Sequence, residues 1–299
     1  MPDQTPVHAP VMVAEVLGGL NCRPGRLYVD GTIGEGGHAV AILDRIAQEG
    51  ELLGLDRNPV VLEATARRLA PYTSRFILVN ASFSRLGEIL AELKRPPAAG
   101  ILLDLGLSLY LLERSGRGFT FQREEPLDMR YNPAEPLPTA ADLLNTLSEA
   151  ELARIFREYG EEPRARQVAR RVVEERRRRP FRTTGDLVAV LRPVLKPRPG
   201  SRIHPATRIF QALRIAVNRE LEELTAFLEQ APAWLEPGGR LAILSYHSLE
   251  DRLVKQHFLL WEQQGLCRRL TKKPLRPTEA EVRANPRART ARLRLAEKL

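Results

Sequence analysis

Between Leu27 and Leu105 the chain alternates apolar runs of strand length with amphipathic stretches of helix length, and a glycine-rich turn occupies the first strand-to-helix junction. Strands that alternate with crossover helices pair in parallel, so the pattern predicts an α/β fold built on a parallel sheet. Strands are expected at Leu27–Asp30, Leu52–Asp56, Phe76–Val79 and Ile101–Leu105, with helices near His38–Ala47, Pro59–Leu69 and Leu86–Leu93. Asp30, Asp56 and Asp104 then fall at the carboxyl ends of their strands, the edge at which open α/β sheets bind ligands.

The turn reads Asp30-Gly31-Thr32-Ile33-Gly34-Glu35-Gly36-Gly37-His38. Its glycines permit positive φ and close backbone approach, which a nucleotide-like ligand needs at such a junction. Asp56 lies 22 residues beyond Gly34, at the end of the next strand, where a carboxylate commonly accepts hydrogen bonds from ribose hydroxyls. A glycine-rich turn alone is also compatible with a plain tight turn, but strand, loop, helix and spaced Asp together point to an adenosine-bearing cofactor. The loop departs from the GxGxxG pattern. Asp30 and Glu35 would repel a pyrophosphate and attract a sulfonium and an ammonium, which favours S-adenosyl-L-methionine over a nicotinamide dinucleotide.

After Gly106 the texture changes to proline-containing turns followed by helical segments at Ala140–Leu144, Glu149–Tyr159, Arg164–Arg178 and Thr184–Arg192. The α/β pattern resumes with a helix over Ala206–Leu228, the turn Glu236-Pro237-Gly238-Gly239 and a strand Leu241–Tyr246. These boundaries predict a discontinuous α/β domain, residues 1–110 and 205–299, interrupted by a helical insertion at 111–204. The alternating stretch Ala291–Leu295 reads as an edge strand near the C-terminus.

Charge is unevenly placed. Of a formal excess of +9, residues 111–204 carry 19 basic against 14 acidic side chains and residues 265–299 carry 11 against 3, while the rest is slightly acidic. A field concentrated in two regions attracts a polyanion, and nucleic acid is the expected partner; solvated arginine-rich helix faces are the bland alternative. Cys22 and Cys267 stand far apart without metal-ligand spacing, so neither disulfide nor metal is expected, and no apolar run approaches a membrane span. A cytoplasmic protein without membrane partners is the resulting expectation.

Several blocks together carry a resemblance: Val7-His8 with Val11-Met12, DGTIGEGGH at 30–38, LLDLGLS at 102–108, RGFTF at 117–121, PLDMR at 126–130, HPATRIFQALRIAVNREL at 204–221, PGGRLAILSYHSLEDRLVK at 237–255 and NPRAR at 285–289. The chain thereby resembles, over nearly its whole length, the S-adenosylmethionine-dependent 16S rRNA cytosine-N4 methyltransferases of the MraW or RsmH type. The resemblance implies a class I, Rossmann-like methyltransferase domain with an inserted all-helical substrate-recognition domain. It further implies methyl transfer to the exocyclic N4 of a decoding-centre cytidine of 16S rRNA within the small ribosomal subunit, without a metal; a homodimer is left open.

Carried over by position, Gly36, Gly37 and His38 line the methionine part of the cofactor, Asp56 the ribose, Phe83 the adenine and Asp104 the reacting side, with Gly34 of the same loop also cofactor-binding. For catalysis, Asp104 is expected to orient the amine, with Tyr246 and His247 lining the opposite wall. The family's usual Ser-Ser-Pro-Gln-Leu-Asp is replaced here by Ser108-Leu109-Tyr110-Leu111-Leu112-Glu113, so a glutamine contact is missing at Leu111. A single net hydrogen bond contributes about 0.5–1.5 kcal/mol, which weakens rather than abolishes cofactor binding. Phe119, Phe121 and Tyr246 are candidates for stacking an extruded base, with core packing as the alternative. Arg117, Arg130, Arg208 and Arg214 contact phosphate or pair internally, and His204 and Asn218 brace the domains or touch RNA. Two other functions share these features: a ribosome-assembly RNA-binding factor with a weakened cofactor site, and a methyltransferase for a small molecule or protein, which needs no basic tail.

Overall fold

A computed structural model describes residues 10–47, 49–196 and 204–299. Val7 and His8 lie outside the described residues. Cα packing divides the chain into one compact unit of residues up to Gly106 with Leu221–Leu299, and a second of Leu107–Glu220.

The first unit is built on a seven-stranded sheet of order β3-β2-β1-β4-β5-β7-β6. The strands are β1 Leu27–Asp30, β2 Glu51–Asp56, β3 Phe76–Asn80, β4 Ala98–Asp104, β5 Leu235–Ser245, β6 Cys267–Arg269 and β7 Arg292–Lys298. β1 to β5 run parallel, whereas β7 is antiparallel to both β5 and β6. Both sheet faces are buried because successive side chains point to opposite sides and both sides are apolar. Val29, Leu53, Leu55, Ile101, Leu103 and Ile243 pack with Leu86, Phe227, Phe258 and Trp261 on one side. Tyr28, Leu52, Leu102, Leu244 and Leu293 pack with Val16, Ile42 and Leu62 on the other. Burying each such side chain stabilises the unit by about 1.5–3 kcal/mol, which outweighs any local strand propensity. The strand order reverses between β1 and β4, where Asp30 is in register with Leu102, so a crevice is expected beside the ends of these two strands.

The second unit is helical, with helices Ala140–Thr146, Glu149–Glu158, Ala165–Arg176, Thr184–Leu191 and Thr207–Asn218. Three of these starts are set by capping boxes, Thr139 with Asp142, Ser148 with Glu151 and Thr183 with Asp186, each satisfying N-terminal donors that the helix itself leaves unpaired. Leu144, Leu152, Phe156, Val168, Val172, Leu187 and Leu213 form its core.

Four expectations change. The continuous helix over 206–228 is instead two helices, Thr207–Asn218 and Glu220–Gln230, separated at Arg219 with φ 52°. Ile209, Phe210, Leu213 and Val217 belong to the helical core, so the packing boundary falls at 220/221 rather than 204/205. The turn at 236–239 is a bulge inside β5, because β4 pairs Ala98 with Leu235 but Gly100 with Arg240. Gly238 takes φ +74°, and a Cβ on Gly239 would stand 2.9 Å from the Ala98 carbonyl oxygen. β7 is not an edge strand, since β6 covers its far side.

Candidate active site

The carboxyl ends of β1, β2 and β4 bring Asp30, Asp56 and Asp104 to one edge of the sheet. The loop after β1 connects them. Thr32 donates its backbone N–H to Asp30 Oδ1 at 3.2 Å, and its Oγ1 accepts the Asp104 N–H at 2.6 Å. Gly34 donates its N–H to Asp56 Oδ2 at 3.0 Å, while Asp56 Oδ1 accepts from the Asn58 N–H at 2.8 Å. Gly34 and Gly36 have φ +50° and +77°, conformations that a side chain disfavours, and the Gly34 carbonyl accepts from the Thr65 hydroxyl. A Cβ on Gly37 would meet Pro10 at 3.0 Å, so that glycine admits the incoming N-terminal segment.

His38 opens the helix Gly37–Arg45 and is 7% exposed. Its Nε2 faces the Val11 carbonyl at 2.9 Å and therefore carries a hydrogen, leaving Nδ1 turned toward Asp104 Oδ2 at 3.7 Å. Asp104 also receives a hydrogen bond from the Tyr246 hydroxyl, and its Oδ1 accepts the Gly106 N–H at 3.2 Å. Burial, the Asp104 charge and that hydrogen bond all push the Tyr246 phenol well above its ordinary value, so it stays protonated and donates. Asp104, His38 and Tyr246 thus form one cluster.

Phe83 packs edge-on against Phe227, with ring centroids 5.6 Å apart, and its Cβ stands 3.1 Å from where a Cβ on Gly31 would be. It therefore borders the loop after β1. His247 has a capping position instead. Its Nδ1 accepts from the Glu250 N–H at 3.4 Å at the start of the helix Ser248–Gln263, and its Nε2 lies 3.0 Å from Glu250 Oε1. Glu250 Oε2 in turn accepts the Tyr246 N–H at 2.8 Å, so the cap fixes the backbone that carries Tyr246.

Burial raises the carboxyls above the ordinary acid range: Asp56 to about 6, and Asp30 to about 8 with repulsion from Asp104 and Asp56 added. A site in which carboxylates crowd one another stabilises a cation and repels a polyphosphate. The sequence reading missed Thr32, Thr65, Gly106 and Glu250. The x-x-Glu spacing after His247 is a capping-box signal, hidden because histidine is an uncommon cap. Thr32 and Thr65 act through backbone contacts across 72 and 31 residues, which no local pattern encodes.

Within the helical unit most of the other candidates are engaged in its own structure. Phe119 is 8% exposed and stacks on Tyr131, and Phe121 packs between His204 and Phe210. Arg214 forms a two-pronged pair with Glu220 at 2.8 Å, Arg130 one with Asp128 at 2.8 and 2.9 Å, and Arg117 and Arg208 donate to the carbonyls of Tyr131 and Glu161. Asn218, fully buried, accepts from the Tyr131 N–H at 2.8 Å and donates to the Met129 carbonyl at 2.7 Å. Leu111, 7% exposed, is part of the helical core.

Comparison with known proteins gives a family match: the MraW methylase family corresponds to residues 5–299. A ribosomal RNA small subunit methyltransferase H of Desulfosudis oleivorans is 47% identical over 309 residues, covering 98% of this chain and 99% of that protein. Its counterpart in Geobacter sulfurreducens is 48% identical over 309 residues, at 98% and 99% coverage. The one from Dictyoglomus thermophilum is 46% identical over 293 residues, covering 98% and 97%.

Proposed function

Since the chain belongs to the MraW methylase family, we propose that it moves the methyl group of S-adenosyl-L-methionine to the exocyclic N4 of a decoding-centre cytidine of 16S rRNA in the small ribosomal subunit. The names of its relatives support ribosomal RNA as the substrate class. The observation that carries the chemistry is the cluster of Asp104, His38 and Tyr246 at the end of β4, beside the glycine loop after β1.

The residues at this edge fit the cofactor. The positive-φ glycines Gly34 and Gly36 leave the loop backbone open to close approach, and the mutual repulsion of Asp30, Asp56 and Asp104 suits a cationic group. Gly34, Gly36, Gly37 and His38 would hold the methionine part, Asp56 the ribose hydroxyls and Phe83 a face of the adenine. When bound, the cofactor supplies an electrophilic methyl group on a sulfonium.

The cytosine N4 is a weak nucleophile because its lone pair is delocalised into the ring, so the protein must orient it and relieve it of a proton. Asp104 would accept a hydrogen bond from the amine and receive that proton. The Thr32 contact to its backbone and the Gly106 contact to its Oδ1 hold it in place. Tyr246 donates to the same carboxylate and offers its ring as a wall against the base. His247 supports this wall through the cap with Glu250 rather than by touching the reacting atoms.

The test is transfer of labelled methyl from S-adenosyl-L-methionine to small ribosomal subunits that lack the modification, followed by nucleoside analysis. N4-methylcytidine is the expected product. Label in another nucleoside, or no transfer despite bound cofactor and subunits, overturns the reading.

A further inference from the structure

Residues 265–299 hold many of the chain's basic side chains, and two groups among them differ in their surroundings. The first is neutralised: Arg294 Nε lies 2.6 Å from Asp251, Arg269 Nε 2.7 Å from Glu262 and Arg268 2.7 Å from Glu297. The second comprises Lys272, Lys273, Arg276 and Arg289, all exposed. Among the described residues Lys273, Arg276 and Arg289 have no hydrogen-bonding or ion-pair partner for their charged groups, and Lys272 has only a through-space attraction to Glu262. Cations held in water without an internal partner are available to an external anion.

Their placement gives the second set a direction. Leu270 donates to the Leu295 carbonyl at 2.9 Å, and Leu275 and Leu293 exchange backbone hydrogen bonds at 2.9 and 3.0 Å, so 270–276 runs antiparallel along β7. That path leads toward Arg292, which is in register with Ser245, the last residue of β5. Tyr246 follows directly. Arg276 therefore arrives, and Arg289 sits in the turn that precedes β7, at the carboxyl edge of the sheet that carries Asp104 and Tyr246. Lys272 and Lys273 extend the same strip away from that edge.

We propose that Lys272, Lys273, Arg276 and Arg289 form a phosphate-contacting strip that guides the RNA backbone to the site at Asp104. This rests on the reading of RNA as substrate, and it assigns substrate docking to the sheet unit's C-terminal segment. Each side chain acts as a screened point charge on a phosphate, so the strip governs affinity and its salt dependence, with no selection of base sequence.

The experiment compares the fourfold variant Lys272→Gln, Lys273→Gln, Arg276→Gln and Arg289→Gln with wild type in binding to unmodified small ribosomal subunits across a salt series, with cofactor present. A control, Arg67→Gln with Lys94→Gln, removes exposed charge from segments leading into the amino ends of β3 and β4. For four single-strand phosphate contacts the slope of log affinity against log salt shrinks by about 3 in the fourfold variant, with at least a tenfold weaker dissociation constant near physiological salt. The control keeps the wild-type slope. Equal slopes and affinities for wild type and the fourfold variant overturn the strip, as does a wild type that binds no subunits. Binding without methyl transfer counts against the proposed reaction, and the comparison of slopes still decides the strip.

Discussion

The Tyr246 hydroxyl donates to the Asp104 carboxylate, and Gly106 is the residue that lets the two meet. A Cβ on Gly106 would stand 2.8 Å from the Tyr246 ring and 3.2 Å from Asp104 Oδ1, too close to a ring held by its neighbours. Gly106→Ala is expected to displace this pair, and a misplacement of about 1 Å costs roughly a hundredfold in rate. Steady-state kinetics should show the loss in kcat, with cofactor affinity close to wild type. An unchanged kcat would mean that Tyr246 does not need this geometry.

Asp56 sets a pH dependence for cofactor binding. Its carboxyl is raised to about 6 by burial, so it is largely protonated below that pH and ionised above it. The ionised form accepts ribose hydroxyls more strongly, and affinity for S-adenosyl-L-methionine should therefore rise from about pH 5 to about pH 7 and then level. Calorimetric titration across that range checks this. Asp56→Asn should bind more weakly and lose the rise; a wild type with flat affinity contradicts the role.

Asp30 makes the cofactor-free protein less stable as pH rises. The unfolded group has its ordinary value of 3.8 and the folded group about 8, so between these pH values the folded state binds the extra proton. The associated stability is complete below the lower value and is lost as pH climbs through the higher one. Asp30→Asn removes that loss. Its thermal midpoint relative to wild type should increase steadily between about pH 5 and about pH 8, measured without cofactor. A constant difference across the range contradicts the buried-carboxyl account.

Leu111 occupies an apolar interior, which redefines its departure from the family's pattern. Leu111→Gln places an amide in the helical core and should destabilise the protein by about 1–3 kcal/mol. Thermal unfolding reads the effect directly. An unchanged midpoint together with tighter cofactor binding would restore the simpler view of Leu111 as a lost cofactor contact.

The parallel core was legible because both the glycine loop and the strand-end aspartates are local patterns, and β1 has the bounds expected of it, Leu27–Asp30. The break at Arg219 was not, since no glycine or proline marks it and the tertiary contacts of Asn218 with Met129 and Tyr131 accompany it. The helix Ser248–Gln263 was missed for its unusual cap, and β7 was misjudged because its partner β6 is only three residues long. In the candidate site, the strand-end positions of Asp30, Asp56 and Asp104 followed from the apolar pattern, whereas the roles expected of Gly36, Gly37, His38 and Phe83 came only with the family resemblance. Thr32 and Gly106 emerge only when β1 and β4 lie side by side.

The most direct measurement for the account is methyl transfer by Asp104→Asn on unmodified small ribosomal subunits, with cofactor binding measured in parallel. The account predicts retained binding of S-adenosyl-L-methionine and a kcat lowered by about a hundredfold or more, in keeping with loss of a positioned proton acceptor. Wild-type turnover by Asp104→Asn would contradict it.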